Sequence, residues 1–484
     1  MTLMIIQLLV VLLALYVGSR YGSLALGAIS GIGLAILVFG FSMKPGTPPT
    51  DVIYIIIAAV TCAGMLQASG GMDWMIQIAE KMLRKHPDHI TFLAPLCTFF
   101  LTVLVGTGHV VYTLMPIICD IALKKGIRPE RPCGVASIAS QVGITCSPIA
   151  AAVVAFTSIS AANGFQITNL EVICVTIPAS ICGLMAAAAA SYKRGLDLDK
   201  DPGFQARLKD PEQYKYIYGS NATTLDKQID KNAKRAVYVF LCALAVIVMF
   251  SVFQMIGHNI LPAWDTVQAV KGGAESIDYN GVTMTAKQLV KAGIVVAGVT
   301  EKVPKHMAMN LVIQIVMISA AAFMIIFCKA KPKKAVGGAV WQSGMVAVVA
   351  IYGIAWLADT YFSNYMPEMQ AGLEGIVSQY PWTIAFAFFA VSVLINSQGA
   401  VVVAMLPLAY KLGIDGVVLL GVFPSVYGYF FIPNYPSDIA TVNFDRSGTT
   451  VIGKYLLNHS FMMPGLISVI VATIVGYGLA NLFF

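Results

Sequence analysis

Read as apolar and polar positions, the chain is a series of long apolar runs separated by short polar ones. Crossing ~30 Å of hydrocarbon takes about 20 apolar residues in a helix. Ten segments are long enough: 3–19, 23–42, 52–70, 134–162, 168–193, 235–257, 307–329, 337–358, 416–443 and 459–484. Two further apolar regions, 90–123 and 382–412, are interrupted near their centres. The first is split by Gly106, Thr107, Gly108 and His109, where a spanning helix would carry leucines. A segment that folds back as a hairpin leaves the membrane on the side it entered, so neither region adds a crossing. The pattern predicts an all-α polytopic membrane protein.

A second copy of the interrupted pattern lies downstream. SQGAVVVAMLP from 397 falls on GTGHVVYTLMP from 106 at an offset of 291, with Gly399 on Gly108, Val401 and Val402 on Val110 and Val111, and Pro407 on Pro116. Upstream, GMLQASGGMDWMIQIAEKMLRKHP (64–87) and AWLADTYFSNYMPEMQAGLEGIVSQYP (355–381) each read as a spanning helix followed by an amphipathic interfacial helix and a proline. Downstream, each hairpin precedes a long span broken by proline, ITCSPIAAAVV at 144–154 and FIPNYPSDIATV at 431–442. Each half then holds five spans and one hairpin. Five is odd, so the second half enters the membrane upside down relative to the first. This is the inverted-repeat plan of secondary transporters, in which paired Gly/Pro-interrupted segments mark the binding site. The expected organisation is a first repeat over 1–193, a cytoplasmic linker over 194–234 and a second repeat over 235–484. Within the second repeat, the outer loop 258–306 contains Asn280-Gly281, a β-hairpin turn signal.

Composition agrees: the chain is 58% hydrophobic and 11% charged, whereas a soluble domain carries about 25% charged residues. MTLMIIQLLVVLLALY lacks the basic leader of a cleavable signal and reads as a retained first helix. The net charge of +7 would suit a nucleic acid, but its distribution reports topology instead. With the N-terminus outside, the basic residues at 81–85, 124–131, 193–235 and 329–334 all face the cytoplasm, as Lys and Arg in membrane proteins do. Both termini are then periplasmic, and no nucleic acid partner follows. The nine cysteines lie in or beside apolar spans without metal-ligand spacing, so no metal, cofactor or disulfide is indicated. No HExxH, GxSxG or paired-carboxylate motif supports a membrane-embedded enzyme. A channel would suit closed re-entrant tips less well than alternating access.

The interruptions are where a site belongs. Gly106 and Gly108 let the chain reverse, Thr107 supplies a hydroxyl, and Asn396, Ser397, Gln398 and Gly399 face them from the other half. Exposed backbone at membrane depth is tolerated only when buried in protein or lining a wet cavity. A new helix begins at each tip and after each proline break, and each helix start carries about half a positive charge. Four such starts converging suit a small dianion. Thr145, Ser147, Asn434 and Ser437 add hydroxyls and an amide. No Lys or Arg sits near a span centre, where it would cost ~2.5–3.5 kcal/mol on insertion scales.

Each candidate also has a plainer role. The glycines can be packing contacts, as Gly27 and Gly31 of an early GxxxG are expected to be. Membrane Ser and Thr often bond their own backbone. His109 is either a hydrogen-bonded structural histidine or a proton carrier. Asp438, just after PNYP, is open to three readings: cation ligand, titrating group or helix cap. Asp120 and Asp359 fall at span ends and read as solvated.

Several motifs resemble the anaerobic four-carbon dicarboxylate uptake (Dcu) transporters, most closely their DcuB-type branch, over nearly the whole chain. They include QASGGMDWMIQIAEKMLRKHP, GTGHVVYTLMPII, IRPERP, RGLDLDKD, YGIAWLADT, NSQGA, YPSD, and FDRSGTT with NHSF. Two positions depart: Asn434 stands where the related pattern has threonine, and Gly399 where it has alanine. The resemblance implies exchange of external fumarate, malate or aspartate for internal succinate across the bacterial inner membrane. It also implies elevator motion of a hairpin-bearing domain against a homodimeric scaffold, and association with a dicarboxylate-sensing histidine kinase. A proton- or sodium-coupled symporter of other organic anions would share this architecture.

Overall fold

The computed structural model describes the chain apart from Met1 and residues 22–23, 220–221, 257, 259, 271–275, 280–281, 366–367, 369–378, 434 and 454–457. Apolar runs become helices because a helix satisfies all of its interior backbone groups internally, which lipid demands. Helix α1 (Thr2–Tyr21) is followed by α2 (Ala25–Ala35), which runs on as a π turn over Ile36–Gly40. Helix α3 (Thr50–Ala68) bends by 71° into α4 (Gly71–Lys85). Helix α4 buries Met72, Met75, Ile76, Ala79 and Leu83 and exposes Lys81 and Lys85, so it is amphipathic as expected. Helices α5 (Ile90–Val105) and α6 (Val111–Lys124) form the first hairpin.

Helix α7 (Glu130–Val142) tightens into a 3-10 turn at Gly143–Cys146, stops, and resumes as α8 (Ala151–Ala162). Helix α9 (Asn169–Ser191) starts at a capping box in which Thr168 and Glu171 satisfy each other's backbone N–H groups. The linker carries α10 (Pro202–Leu208) and α11 (Pro211–Tyr218), capped by Asp201 and Asp210.

The second half opens with α12 (Lys231–Met255). Its outer segment holds β1 (Ala263–Ala269), β2 (Ser276–Tyr279), β3 (Val282–Thr285), α13 (Ala286–Ala292) and β4 (Thr300–His306). Strands β2 and β3 pair with Tyr279 opposite Val282, as the turn signal anticipates, although Asn280 and Gly281 themselves lie outside the described residues. The ladder between β1 and β4 was not anticipated, because neither strand alternates apolar and polar residues and Pro304 interrupts one of them. Next come α14 (Met309–Cys328), α15 (Pro332–Val336) and α16 (Ala339–Asn364). The counterpart of α4 expected after α16 lies largely outside the described residues.

Helices α17 (Ile384–Leu394) and α18 (Gln398–Lys411) form the second hairpin. The second broken span is α19 (Gly416–Gly421), a 3-10 turn at Phe423–Val426, and α20 (Pro436–Phe444); α21 (Met462–Phe483) ends the chain. This break is wider than its prolines alone suggested. Tyr427, Tyr429 and Phe430 fill the gap as buried rings, with centroids 4.8 Å apart for the tyrosine pair and 5.1 Å for Tyr427 with Phe430. Among the described residues, seven helical stretches, hairpin arm α5 included, are long and apolar enough to cross a membrane, or eight if α3 and α4 count as one bent span.

The halves interlock. Helix α2 packs on α16, α3 on α14, and α9 along α21. At the α2–α16 crossing the backbones touch, since a Cβ on Gly27 would fall 2.1 Å from the Val349 carbonyl oxygen and one on Gly353 2.0 Å from that of Gly27. The companion Gly31 meets nothing within 4 Å, so only the first glycine of that motif serves the contact.

Polar side chains gather at two opposite ends. At one, Asp359 accepts from the Thr47 backbone and pairs with Lys411 at 3.7 Å. At the other, Asp120 meets Lys124 at 2.9 Å, Arg446 at 3.2 Å and Arg84 at 3.6 Å. Asp120 is therefore not solvated as its position suggested. It is 1% exposed, because Arg446 from the other half reaches it. Glu80 ties the linker to this end by accepting from the hydroxyls of Thr223 and Thr224 and from Arg84. Burial raises its pKa, but these hydrogen bonds outweigh that effect and hold the carboxyl below its ordinary range.

Candidate functional site: a cavity between two hairpin tips

The two tips reverse by different local chemistry. Helix α5 ends at Gly106, whose φ of +77° is the left-handed conformation that only glycine adopts freely. Thr107 is extended, and a 3-10 turn at Gly108–Val110 leads into α6. In the second hairpin Ile395 and Ser397 are extended, and the Ser397 hydroxyl accepts from the Ala400 backbone as an N-cap.

A cavity of about 620 Å³ lies between these tips. Gly106, Thr107 and His109 of the first tip line it together with Asn396, Ser397, Gln398 and Gly399 of the second. Ala151, the first residue of α8, and Pro436, the first of α20, also reach it. The starts of α6, α8, α18 and α20 therefore surround one space. The remaining wall is apolar and comes from α2, α3 and α16, including Ile56, Ala63, Gly344 and Ala350. Among the described residues, no Lys, Arg, Asp or Glu lines the cavity. Leu26, Ala63 and Val340 extend it toward the end of the molecule where the linker lies.

The other candidates stand behind this wall. Gly108 faces the end of α7, with a Cβ there falling 2.4 Å from Gln141 Nε2 and 2.7 Å from the Ser140 carbonyl oxygen. The Thr145 hydroxyl donates to its own helix at the Val142 carbonyl, 3.0 Å away, the plainer of its two roles. Ser147 is buried beside Gly106, and its hydroxyl has no partner among the described residues. The same holds for Ser437. Asn434 lies outside the described residues.

His109 Nδ1 sits 2.7 Å from the Thr107 hydroxyl, and its ring packs edge-on to Tyr112. Asp438 makes no cap: the N-cap of α20 is Tyr435, and the Asp438 carboxylate, 1% exposed, accepts from the Ser137 hydroxyl at 2.7 Å. The cap fails because Pro436 opens the helix two residues earlier, which puts Asp438 inside its first turn.

Sequence reasoning missed three groups that organise the site. Gln141 takes a hydrogen bond from Tyr429 on its side-chain oxygen at 2.8 Å, and one from Gln398 on its backbone carbonyl at 2.9 Å. Tyr429 and Tyr435 line the cavity with ring centroids 4.6 Å apart. The break itself is braced from the next span, since Asn169 at the start of α9 donates to the Pro148 carbonyl at 2.8 Å. The clustered aromatics of YGYFFIPNYPSD were the one sequence signal for the tyrosines; Gln141 had none.

These features define a polytopic all-α membrane protein in which two hairpin tips and two helix breaks share one cavity. The chain belongs to the anaerobic C4-dicarboxylate membrane transporter family, whose pattern it matches over residues 3–484. It is 41% identical over 481 residues to the anaerobic C4-dicarboxylate transporter DcuB of Escherichia coli O6:H1, covering 99% of this chain and 98% of that one. It is 31% identical over 480 residues to the C4-dicarboxylate transporter DcuA of Wolinella succinogenes, covering 98% of each. Among solved structures, MtrF of Neisseria gonorrhoeae, from a class described as antimetabolite efflux pumps, matches 98% of this chain and 94% of its own. The TM-score is 0.49 at 12% identity, below the level that defines a shared fold.

Proposed function

We propose that this C4-dicarboxylate transporter, which is not an enzyme, exchanges external fumarate, malate or aspartate for internal succinate by alternating access. The observation that carries the reading is one cavity lined by both hairpin tips, by the starts of α8, α18 and α20 and by the 3-10 turn leading into α6, with no basic side chain among its described lining residues. Backbone N–H groups at helix starts favour anions, and the hydroxyls and amides of Thr107, Asn396, Ser397 and Gln398 complete a shell for two carboxylates. The repeats at 1–193 and 235–484 form the inverted halves, joined by the linker 194–234. The hairpins and broken spans form the moving element, and α2, α3 and α16 belong to the scaffold it slides past. The scaffold pairs in a homodimer in the bacterial inner membrane with both termini periplasmic, and a dicarboxylate-sensing histidine kinase is a further partner. The cavity's extension toward the linker end corresponds to an inward-facing state.

Counterflow in proteoliposomes without ion gradients tests the reading. Uptake of labelled fumarate should require internal succinate. Uptake that needs a proton or sodium gradient and ignores internal succinate would establish the symporter instead. Alanine at Asn396 or Ser397 should weaken exchange while membrane insertion persists, and unchanged kinetics in both would remove the second tip from the site.

A further inference from the structure

Gln398 is the first residue of α18, lines the cavity and is 2% exposed. Its amide nitrogen donates to the backbone carbonyl of Gln141 at 2.9 Å. The last carbonyls of a helix lack its regular partners, and α7 ends one residue after Gln141; the Gln141 carbonyl, which the Gly143 N–H of the cap also reaches, takes this side chain from the other half on its second lone pair. An amide meets a carbonyl oxygen only through its nitrogen, since two oxygens would repel. The Gln141 contact therefore fixes which way the Gln398 amide points. Gln141 is itself held by the Tyr429 hydroxyl.

The other end of the Gln398 amide is unmatched. Oε1 is buried and has no donor among the described residues. Leaving a buried acceptor unpaired costs about 1–3 kcal/mol. A carboxylate does not relieve this, because an ionised carboxylate only accepts hydrogen bonds. A donor relieves it, and because the Gln398 side chain lines the cavity, such a donor can be carried by a ligand there, between or beside its carboxylates.

We propose that Gln398 sets substrate preference: its Oε1 accepts a hydrogen bond from the hydroxyl or ammonium group of a four-carbon dicarboxylate substituted on its carbon chain, favouring such acids over the bare ones. This rests on the dicarboxylate reading above. Sites built to hydrogen-bond a substrate group discriminate against analogues that lack it, because their own polar atoms are then stranded.

Wild type, Gln398→Met and Gln398→Glu are reconstituted in succinate-loaded liposomes, and kcat/KM is measured for external L-malate, L-aspartate and succinate. Gln398→Met removes the amide oxygen at similar length and should lower the malate-to-succinate and aspartate-to-succinate ratios by about five- to tenfold. Gln398→Glu keeps an accepting oxygen and should retain the aspartate-to-succinate ratio, although every acid is transported less well. A residue that merely shapes the tip would depress all three acids alike in both variants, and unchanged ratios in Gln398→Met overturn the proposal.

Should Gln398→Met transport nothing, ligand-induced thermal stabilisation of the purified protein reads the same preference. Malate and aspartate must then lose more stabilisation than succinate, and equal losses refute the assignment. Failure of the underlying reading looks different: the wild type would show no counterflow with any of the acids.

Discussion

The two hairpin tips share one cavity and align in sequence at a fixed offset, yet they are built differently. At the first, a left-handed glycine, Gly106, ends one arm and a 3-10 turn starts the other. At the second, Ser397 caps the returning helix from an extended backbone. The sequence offset pairs Gly108 with Gly399, and both face the first broken span, Gly108 at the end of α7 and Gly399 at the start of α8. What the two copies share is a place where backbone comes close to a broken helix. How each chain turns to get there differs.

The sharpest way to break this comparison is to add one methyl group to each paired glycine. In Gly108→Ala the new Cβ falls 2.4 Å from Gln141 Nε2 and 2.7 Å from a backbone oxygen, so the tip must move. Overpacking of this kind costs about 1–3 kcal/mol or more, and exchange should fall by more than about tenfold. In Gly399→Ala the nearest atoms are side-chain carbons of Ala151 and Ile351 at 3.2 Å, which yield by a few tenths of an ångström. Exchange should stay within about threefold of wild type, since small core enlargements that side chains absorb cost little. Equal effects in the two variants would show that the glycines are not doing comparable but unequal packing work.

The turns themselves should respond in chemically opposite ways. Gly106→Ala forces a side chain into the left-handed region at about 1–2 kcal/mol, and Gly106→Asn should recover part of that loss, because Asn tolerates this conformation. Ser397→Ala removes a cap worth about 0.5–2 kcal/mol, whereas Ser397→Gly should lose only a few tenths. Thermal unfolding of the purified protein measures all four. A pattern in which glycine fails at 397 or Asn fails at 106 would contradict the assigned turn chemistry.

The smallest effect lies far from both tips and serves as their control. Glu80 holds the linker through Thr223, Thr224 and Arg84, and its carboxyl is depressed below the ordinary 4.5. The stability it contributes is therefore fully present above that value and is lost as pH falls through the lower folded value. Hydrogen exchange at residues 222–227 should quicken as the solution is acidified through this range. The Glu80→Gln variant should show fast exchange already at neutral pH and little further change, and Gly108→Ala should leave this profile unaltered.

Much of this arrangement was legible because lipid leaves few choices. The run 168–193 had to be a helix and is one over Asn169–Ser191. The repeated pattern pointed to both tips, since Gly and Pro at a fixed offset inside apolar runs have few other uses. What escaped depends on partners distant in the chain. Gln141 carries no turn or charge signature, and its importance comes from Gln398, 257 positions away. Asp120 looked solvated because nothing near it in sequence announces Arg446. Gly27 and Gly31 are indistinguishable as a motif, and only the crossing point of α16 separates them. The β1–β4 ladder was silent for a related reason, as strands whose residues are mostly exposed need no apolar alternation.

If the protein is the exchanger proposed above, the buried oxygens of Ser147, Ser437 and Gln398 bear on why it would trade one cargo for another instead of returning alone. Were the protein to shut around nothing, each would be sealed from water with no hydrogen to accept or give, at about 1–3 kcal/mol apiece. In the proposed exchanger a cargo that answers Gln398, the one of the three that lines the cavity, lowers that barrier, so a loaded carrier would cross more readily than a vacant one. Reciprocity between the two directions of traffic would then need no gate or sensor, only dissatisfied atoms.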